Sequence, residues 1–135
     1  MNLLLDTHIF LWYIAGVEKI SAPILALIRN PKNAVYLSVV SEWEIVIKYQ
    51  LGRLPLPESP GAYIPMQRRR HRIDILPLDE GAVRMLETLP PIHRDPFDRM
   101  LISQALDNGL TLITADVAIK KYGGIVDVPI LTPKD

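Results

Sequence analysis

The apolar run Leu3-Leu4-Leu5 stops abruptly at Asp6, and that junction limits what the chain can fold into. A strand with one wet face alternates apolar and polar residues, whereas an unbroken apolar strand must be covered on both faces. Cover on both sides implies a parallel sheet sandwiched by helices. In open sheets of that kind ligands bind at the carboxyl ends of the strands. Asp6 stands where such a strand ends, so its position is itself functional information.

The rest of the chain repeats the alternation. Thr7 to Ala15 reads as a helix stopped by Gly16, and Ser21-Ala22-Pro23 opens another to about Arg29. Ala34 to Leu37 reads as a second strand, followed by a helix capped by Ser38 and ended by Gly52. The proline-rich segment from Leu54 to Pro60 is a connector. A helix then runs to about His71, with Pro65 expected to interrupt or kink it. Ile73 to Leu76 predicts a third strand, and Asp79 caps a helix ending near Pro90-Pro91. Asp95-Pro96 opens a helix closed by Gly109. Leu110 to Thr114 predicts a fourth strand, Ala115 to Tyr122 a helix, and Ile125 to Leu131 a fifth short strand. The order gives an α/β class: one domain over residues 1–135, with a central, mainly parallel sheet of about five strands flanked by helices.

Composition narrows the function classes. With 135 residues, 49% of them hydrophobic, one substantial core is available. No apolar run approaches the roughly 20 residues that span a bilayer, and the opening segment does not read as a signal peptide. The chain has no cysteine, which removes disulfides and thiolate metal sites, and the expected compartment is the cytoplasm. Fifteen basic and fifteen acidic residues balance, so any nucleic-acid contact must come from a local patch or a bridging cation.

The candidate site is built from acids. Asp6 and Asp116 each follow a predicted strand, and each can also cap the helix that comes next, although Thr7 could cap in place of Asp6. In Ser41-Glu42-Trp43-Glu44-Ile45, helical spacing puts Trp43, Val46 and Ile47 on the packed side, with Glu42 and Glu44 on either flank of Trp43. Trp43 therefore reads as packing. Asp95 before Pro96 reads mainly as a cap, while Asp98 in the first helical turn suits either the helix dipole or the sheet-edge site. Carboxylates gathered in one place repel unless a cation intervenes. Oxygen-only donors select a hard ion, Mg²⁺ or Mn²⁺, and such ions suit phosphodiester hydrolysis. His8, His71 and His93 are too scattered to indicate zinc. The run Arg68-Arg69-Arg70-His71-Arg72 is either a solvated helix face or a hold on a nucleic-acid backbone, and Arg99 is a further candidate contact. Apolar residues of the first two helices leave surface for a dimer or partner.

Three segments carry a resemblance: Leu4-Leu5-Asp6-Thr7-His8, Ser41-Glu42-Trp43-Glu44-Ile45, and His93-Arg94-Asp95-Pro96-Phe97-Asp98-Arg99 with the helix after it. Together they resemble the PIN-domain family, and more narrowly the VapC toxins of type II toxin–antitoxin modules. That resemblance implies an Mg²⁺-dependent ribonuclease held in check by a cognate antitoxin, expected to form a homodimer. It puts the acidic positions on Asp6, Glu44, Asp98 and Asp116, with Asp6 and Asp98 holding the metal. It makes Thr7, Thr114 and Asp95 supporting residues. Glu42 stands where an apolar residue is common, which leaves open which glutamate faces the site. Two other readings stay in play. A small phosphate-ester hydrolase using Asp6 as nucleophile would want an acid where His8 stands. A catalytically inactive PIN fold would serve as a binding module.

Overall fold

The computed structural model describes residues 1–135 and contains five strands and seven α-helices. In chain order they are β1 (Asn2–Leu5), α1 (Thr7–Ala15), α2 (Ala22–Arg29), β2 (Ala34–Ser38), α3 (Val39–Gln50) and α4 (Pro60–His71). There follow β3 (Asp74–Leu76), α5 (Glu80–Met85), α6 (Pro96–Asn108), β4 (Thr111–Ile113), α7 (Val117–Lys120) and β5 (Ile130–Leu131). No helix is long and apolar enough to cross a membrane.

All strand pairs are parallel, in the order β3-β2-β1-β4-β5. The chain starts in the central strand, builds outward to β3, then crosses back to lay β4 on the other side of β1. The reversal opens a crevice between the carboxyl ends of β1 and β4, where ligands of such sheets bind.

Strand β1 explains the apolar run. Leu3, Leu4 and Leu5 are fully buried, but Leu3 and Leu5 belong to one core cluster and Leu4 to the other. The first cluster packs under α1 and α2 with Ile9, Phe10, Ile24 and Ile28; the second packs with Ile102, Ala105, Leu112 and Tyr122. Each such side chain contributes roughly 1.5–3 kcal/mol on burial.

Several elements differ from the sequence reading. Pro65 does not break α4, which is continuous from Pro60 to His71. The hydrogen bond that Pro65 cannot make would go to the carbonyl of Gly61, an exposed residue on the wet side of the helix. The helix capped by Asp79 ends at Met85 and passes into a 3₁₀ turn over Leu86–Thr88. The expected fifth strand shrinks to Ile130–Leu131, because residues 122–126 close a turn in which Ile125 and Val126 N–H both donate to the Tyr122 carbonyl. On α3 the buried face is Val40, Ser41, Glu44 and Ile45, whereas Trp43 is 59% exposed. The packed side is thus rotated from the one that the apolar residues suggested: Trp43 lies edge-on against Phe97, with ring centroids 5.0 Å apart.

Candidate functional site

The carboxyl edge of β1 and β4 opens into a cavity of about 380 Å³ lined by Asp6, Thr7, His8, Trp12, Glu44, Lys48, Asp95, Asp98, Ala115 and Asp116. Five carboxylates therefore face one space against a single lysine. The fold brings them there from four different connections. Asp6 ends β1, Asp116 follows β4, Asp95 and Asp98 start α6, and Glu44 projects from the buried face of α3.

Hydrogen bonds anchor the acids, some from the next helical turn and some from distant residues. Asp6 caps α1, its Oδ1 accepting from Ile9 N–H at 2.9 Å, while its Oδ2 accepts from the Thr114 hydroxyl. Asp116 caps α7, with Oδ1 accepting from Ala118 N–H at 2.7 Å. Capping and lining the cavity are therefore not alternatives for either residue, because one oxygen can serve each purpose. Asp95 caps α6 through Phe97 and Asp98 N–H at 2.8 and 3.2 Å. Glu44 accepts from the buried Thr7 hydroxyl at 2.7 Å and pairs with Lys48, one turn on, at 3.0 Å. Glu42 turns away from the cavity and pairs with Arg68 at 3.2 Å.

His93 completes the constellation. Its Nε2 lies 2.8 Å from Asp98 Oδ2 and 3.8 Å from Asp116 Oδ2. Donor atoms of His93, Asp98 and Asp116 all fall within 4.8 Å of one another, a compact set that does not include Asp6. Scatter along the sequence concealed this histidine, although it stands five residues before Asp98 in the same segment. Lys48 was also missed; its i,i+4 spacing from Glu44 was the available signal.

The arginines lie elsewhere, and none lines the acidic cavity. A helix returning between parallel strands runs opposite to them, so the carboxyl end of α4 comes back to the amino edge of the sheet. There Arg70 and Arg72, with Arg29 and His71, border a separate groove of about 440 Å³ beside Ala34 and Asp74. Arg69 is exposed, and Arg68 is tied to Glu42 and to the Ile73 carbonyl. Arg99 reaches the Pro90 carbonyl and the Tyr122 hydroxyl, each at 3.2 Å, and so braces a loop.

A family model for the PIN domain matches residues 3–125. The chain belongs to the PIN-domain family. Ribonuclease VapC16 of Mycobacterium tuberculosis is 41% identical over 56 residues, which is 42% of this chain and 40% of that protein's length. Among solved structures, VapBC2 from Rickettsia felis bound to a DNA fragment from its promoter superposes with a TM-score of 0.72, at 16% identity and 98% of both chains. VapBC-1 from nontypeable Haemophilus influenzae gives 0.66 at 18% identity over the full length of both. These likenesses establish the PIN fold around the cavity.

The electrostatics of this PIN-domain cavity fit a divalent cation. Burial, with Asp95 and Asp116 adding their charges, pushes the Asp98 carboxyl up to about 7 against the opposing hydrogen bond from His93. Burial also raises Asp6, with Thr114 and the Ile9 N–H pulling the other way. Held protons on clustered acids mark charge that the protein itself leaves uncompensated. The donors present, oxygens with one imidazole nitrogen, suit Mg²⁺ or a first-row ion such as Mn²⁺.

A pH dependence follows. Between the unfolded and folded values for Asp98, the folded state holds a proton that the unfolded chain has released. Stability from this group is therefore full below its unfolded pKa and lost as pH rises through about 7. In EDTA the melting temperature is expected to fall from about pH 5 to about pH 8, and a divalent cation should reverse part of that fall, more so at higher pH. A melting temperature in EDTA that does not fall over this range would rule out this origin, and a fall that metal leaves unchanged would place the cation elsewhere.

Proposed function

We propose that the chain is a divalent-metal-dependent endoribonuclease, the toxin of a type II toxin–antitoxin module. The observation that carries this is the convergence of Asp6, Glu44, Asp98 and Asp116 on one cavity of a PIN fold. The partial match to a protein described as a ribonuclease supports RNA as the substrate. The VapBC complexes of like fold support a protein antitoxin as partner.

In this reading Asp6, Asp98 and Asp116 would hold the ion, Mg²⁺ or Mn²⁺. When bound, it supplies charge stabilisation at the scissile phosphate and makes water more acidic. Glu44 completes the acidic wall. Thr7 and Lys48 fix its two oxygens, so that it presents a defined acceptor for an attacking water. Thr114 fixes the rotamer of Asp6, and Asp95 fixes the start of α6 from which Asp98 projects. Trp12 and His8 form the rim, their rings edge to face with centroids 6.2 Å apart. Arg69, Arg70 and Arg72 would meet an RNA only where it wraps to the opposite edge of the sheet. Leu11, Trp12 and Leu25, partly buried on α1 and α2, offer surface for a second copy of the chain.

The direct experiment incubates the protein with total RNA in Mg²⁺, in Mn²⁺ and in EDTA. Discrete fragments with metal and none in EDTA are expected. Turnover of a small phosphate ester without RNA fragments would favour the ester-hydrolase reading. No turnover of either would favour a binding module.

A further inference from the structure

His93 is built into the acidic site too firmly to be an incidental neighbour. Its backbone N–H donates to the Tyr122 hydroxyl at 3.0 Å, and that hydroxyl in turn donates to the Pro90 carbonyl at 2.9 Å. Tyr122 is fully buried, so the loop carrying His93 is pinned to the core rather than to the surface. The imidazole then points at two carboxylates that arrive from different elements, Asp98 on α6 and Asp116 before α7. An ion with donors at about 2.1 Å in an octahedron sets neighbouring donors about 3.0 Å apart and opposite donors about 4.2 Å apart. The 2.8 Å from Nε2 to Asp98 Oδ2 is close to the distance between neighbouring donors, and the 3.8 Å to Asp116 Oδ2 falls short of that between opposite ones, so both can share one ion. Nε2 shares a hydrogen bond with Asp98 Oδ2, whereas Nδ1 makes none within the protein and can take the ring proton when a metal replaces that bond at Nε2.

We propose that His93 Nε2 is a direct ligand of the divalent cation held by Asp98 and Asp116, and that this nitrogen donor makes the site prefer Mn²⁺ to Mg²⁺. Mg²⁺ is satisfied by oxygen and water, whereas imidazole binds first-row transition ions in preference to it. This rests on the metal-dependent reading above, and it adds a donor of a different element to an otherwise all-oxygen site. Asp6, outside the compact set, would then reach the same ion directly or through water.

The test reads the metal rather than catalysis. Mn²⁺ is titrated into wild-type protein, and pulsed electron paramagnetic resonance is used to look for ¹⁴N coupling from a bound imidazole. Competition with Mg²⁺ gives the preference. Coupling is expected in the wild type and in His8→Gln, which controls for the other histidine at the cavity, and it should vanish in His93→Gln. His93→Gln should also weaken Mn²⁺ binding by about tenfold or more while moving Mg²⁺ binding much less. Mn²⁺ bound in the wild type without ¹⁴N coupling would overturn the role of His93 and leave the carboxylate site standing. Coupling that persists in His93→Gln would do the same. If wild-type protein bound no Mn²⁺ at all, the metal reading itself would fail. The spectra of wild type and His8→Gln together decide the matter even if His93→Gln is unstable.

Discussion

Replacing Asp98 with Asn is expected to abolish most RNA cleavage, a loss of about a hundredfold or more, while raising the melting temperature of the metal-free protein. The two effects come from one charge. Asp98 is half-buried beside Asp95 and Asp116, and its carboxyl is pushed up to about 7 because the anion is poorly tolerated there. Asn keeps the shape and still offers an oxygen near His93 Nε2, so the α6 start and the loop need not move. It does forfeit a favourable interaction with the α6 dipole, worth about 0.3–1 kcal/mol. Removing a like charge from a desolvated cluster should outweigh that. Cleavage assays in saturating metal and thermal melts in EDTA check the two halves. A variant that retains metal-stimulated cleavage would displace Asp98 from the site, and lost activity with a lower melting temperature would mean a structural role instead.

Tyr122→Phe should produce the second largest effect, from a residue that touches no substrate. The Tyr122 hydroxyl receives hydrogen bonds from His93 N–H and Arg99 Nη1 and donates one to the Pro90 carbonyl. Phe fills the same space but leaves the His93 N–H without a partner, at a cost of about 1–3 kcal/mol, while Arg99 and the Pro90 carbonyl still bond each other. The loop from Leu89 to Asp95 would keep the brace from Arg99 to the Pro90 carbonyl, but His93 would lose its fixed position. Apparent metal affinity is expected to fall about 10–100-fold, as for outer partners of metal ligands elsewhere. The maximal rate at saturating metal should stay near that of the wild type. An unchanged metal dependence, with only the stability lowered, would confine Tyr122 to packing.

Much of the fold was legible because its signals are local. Asp6, Ser21, Ser38, Asp79, Asp95 and Asp116 each cap the helix that their sequence position suggested, since a cap bonds to N–H groups two or three residues on. The failures came where a distant contact won. Trp43 looked like a core residue from its apolarity alone. The sheet edge instead claimed Glu44, whose burial is made tolerable by Thr7, thirty-seven residues away, and Lys48. The arginine run could not be assigned to an edge until the direction of α4 was known.

The sequence by itself determined a parallel sheet covered on both faces, because an unbroken apolar strand admits no other cover, and it determined that acids end two of those strands. Only the tertiary structure decided which side chains meet. It set Asp98 and Asp116 against His93, turned Glu44 inward and Glu42 outward, and carried Arg70 and Arg72 to the far edge of the sheet. The physical reason lies in range. Capping and periodicity act over a few residues and leave a mark in the sequence. A cavity wall is assembled from segments brought together by the crossover of β4 past β1, and nothing local encodes that meeting.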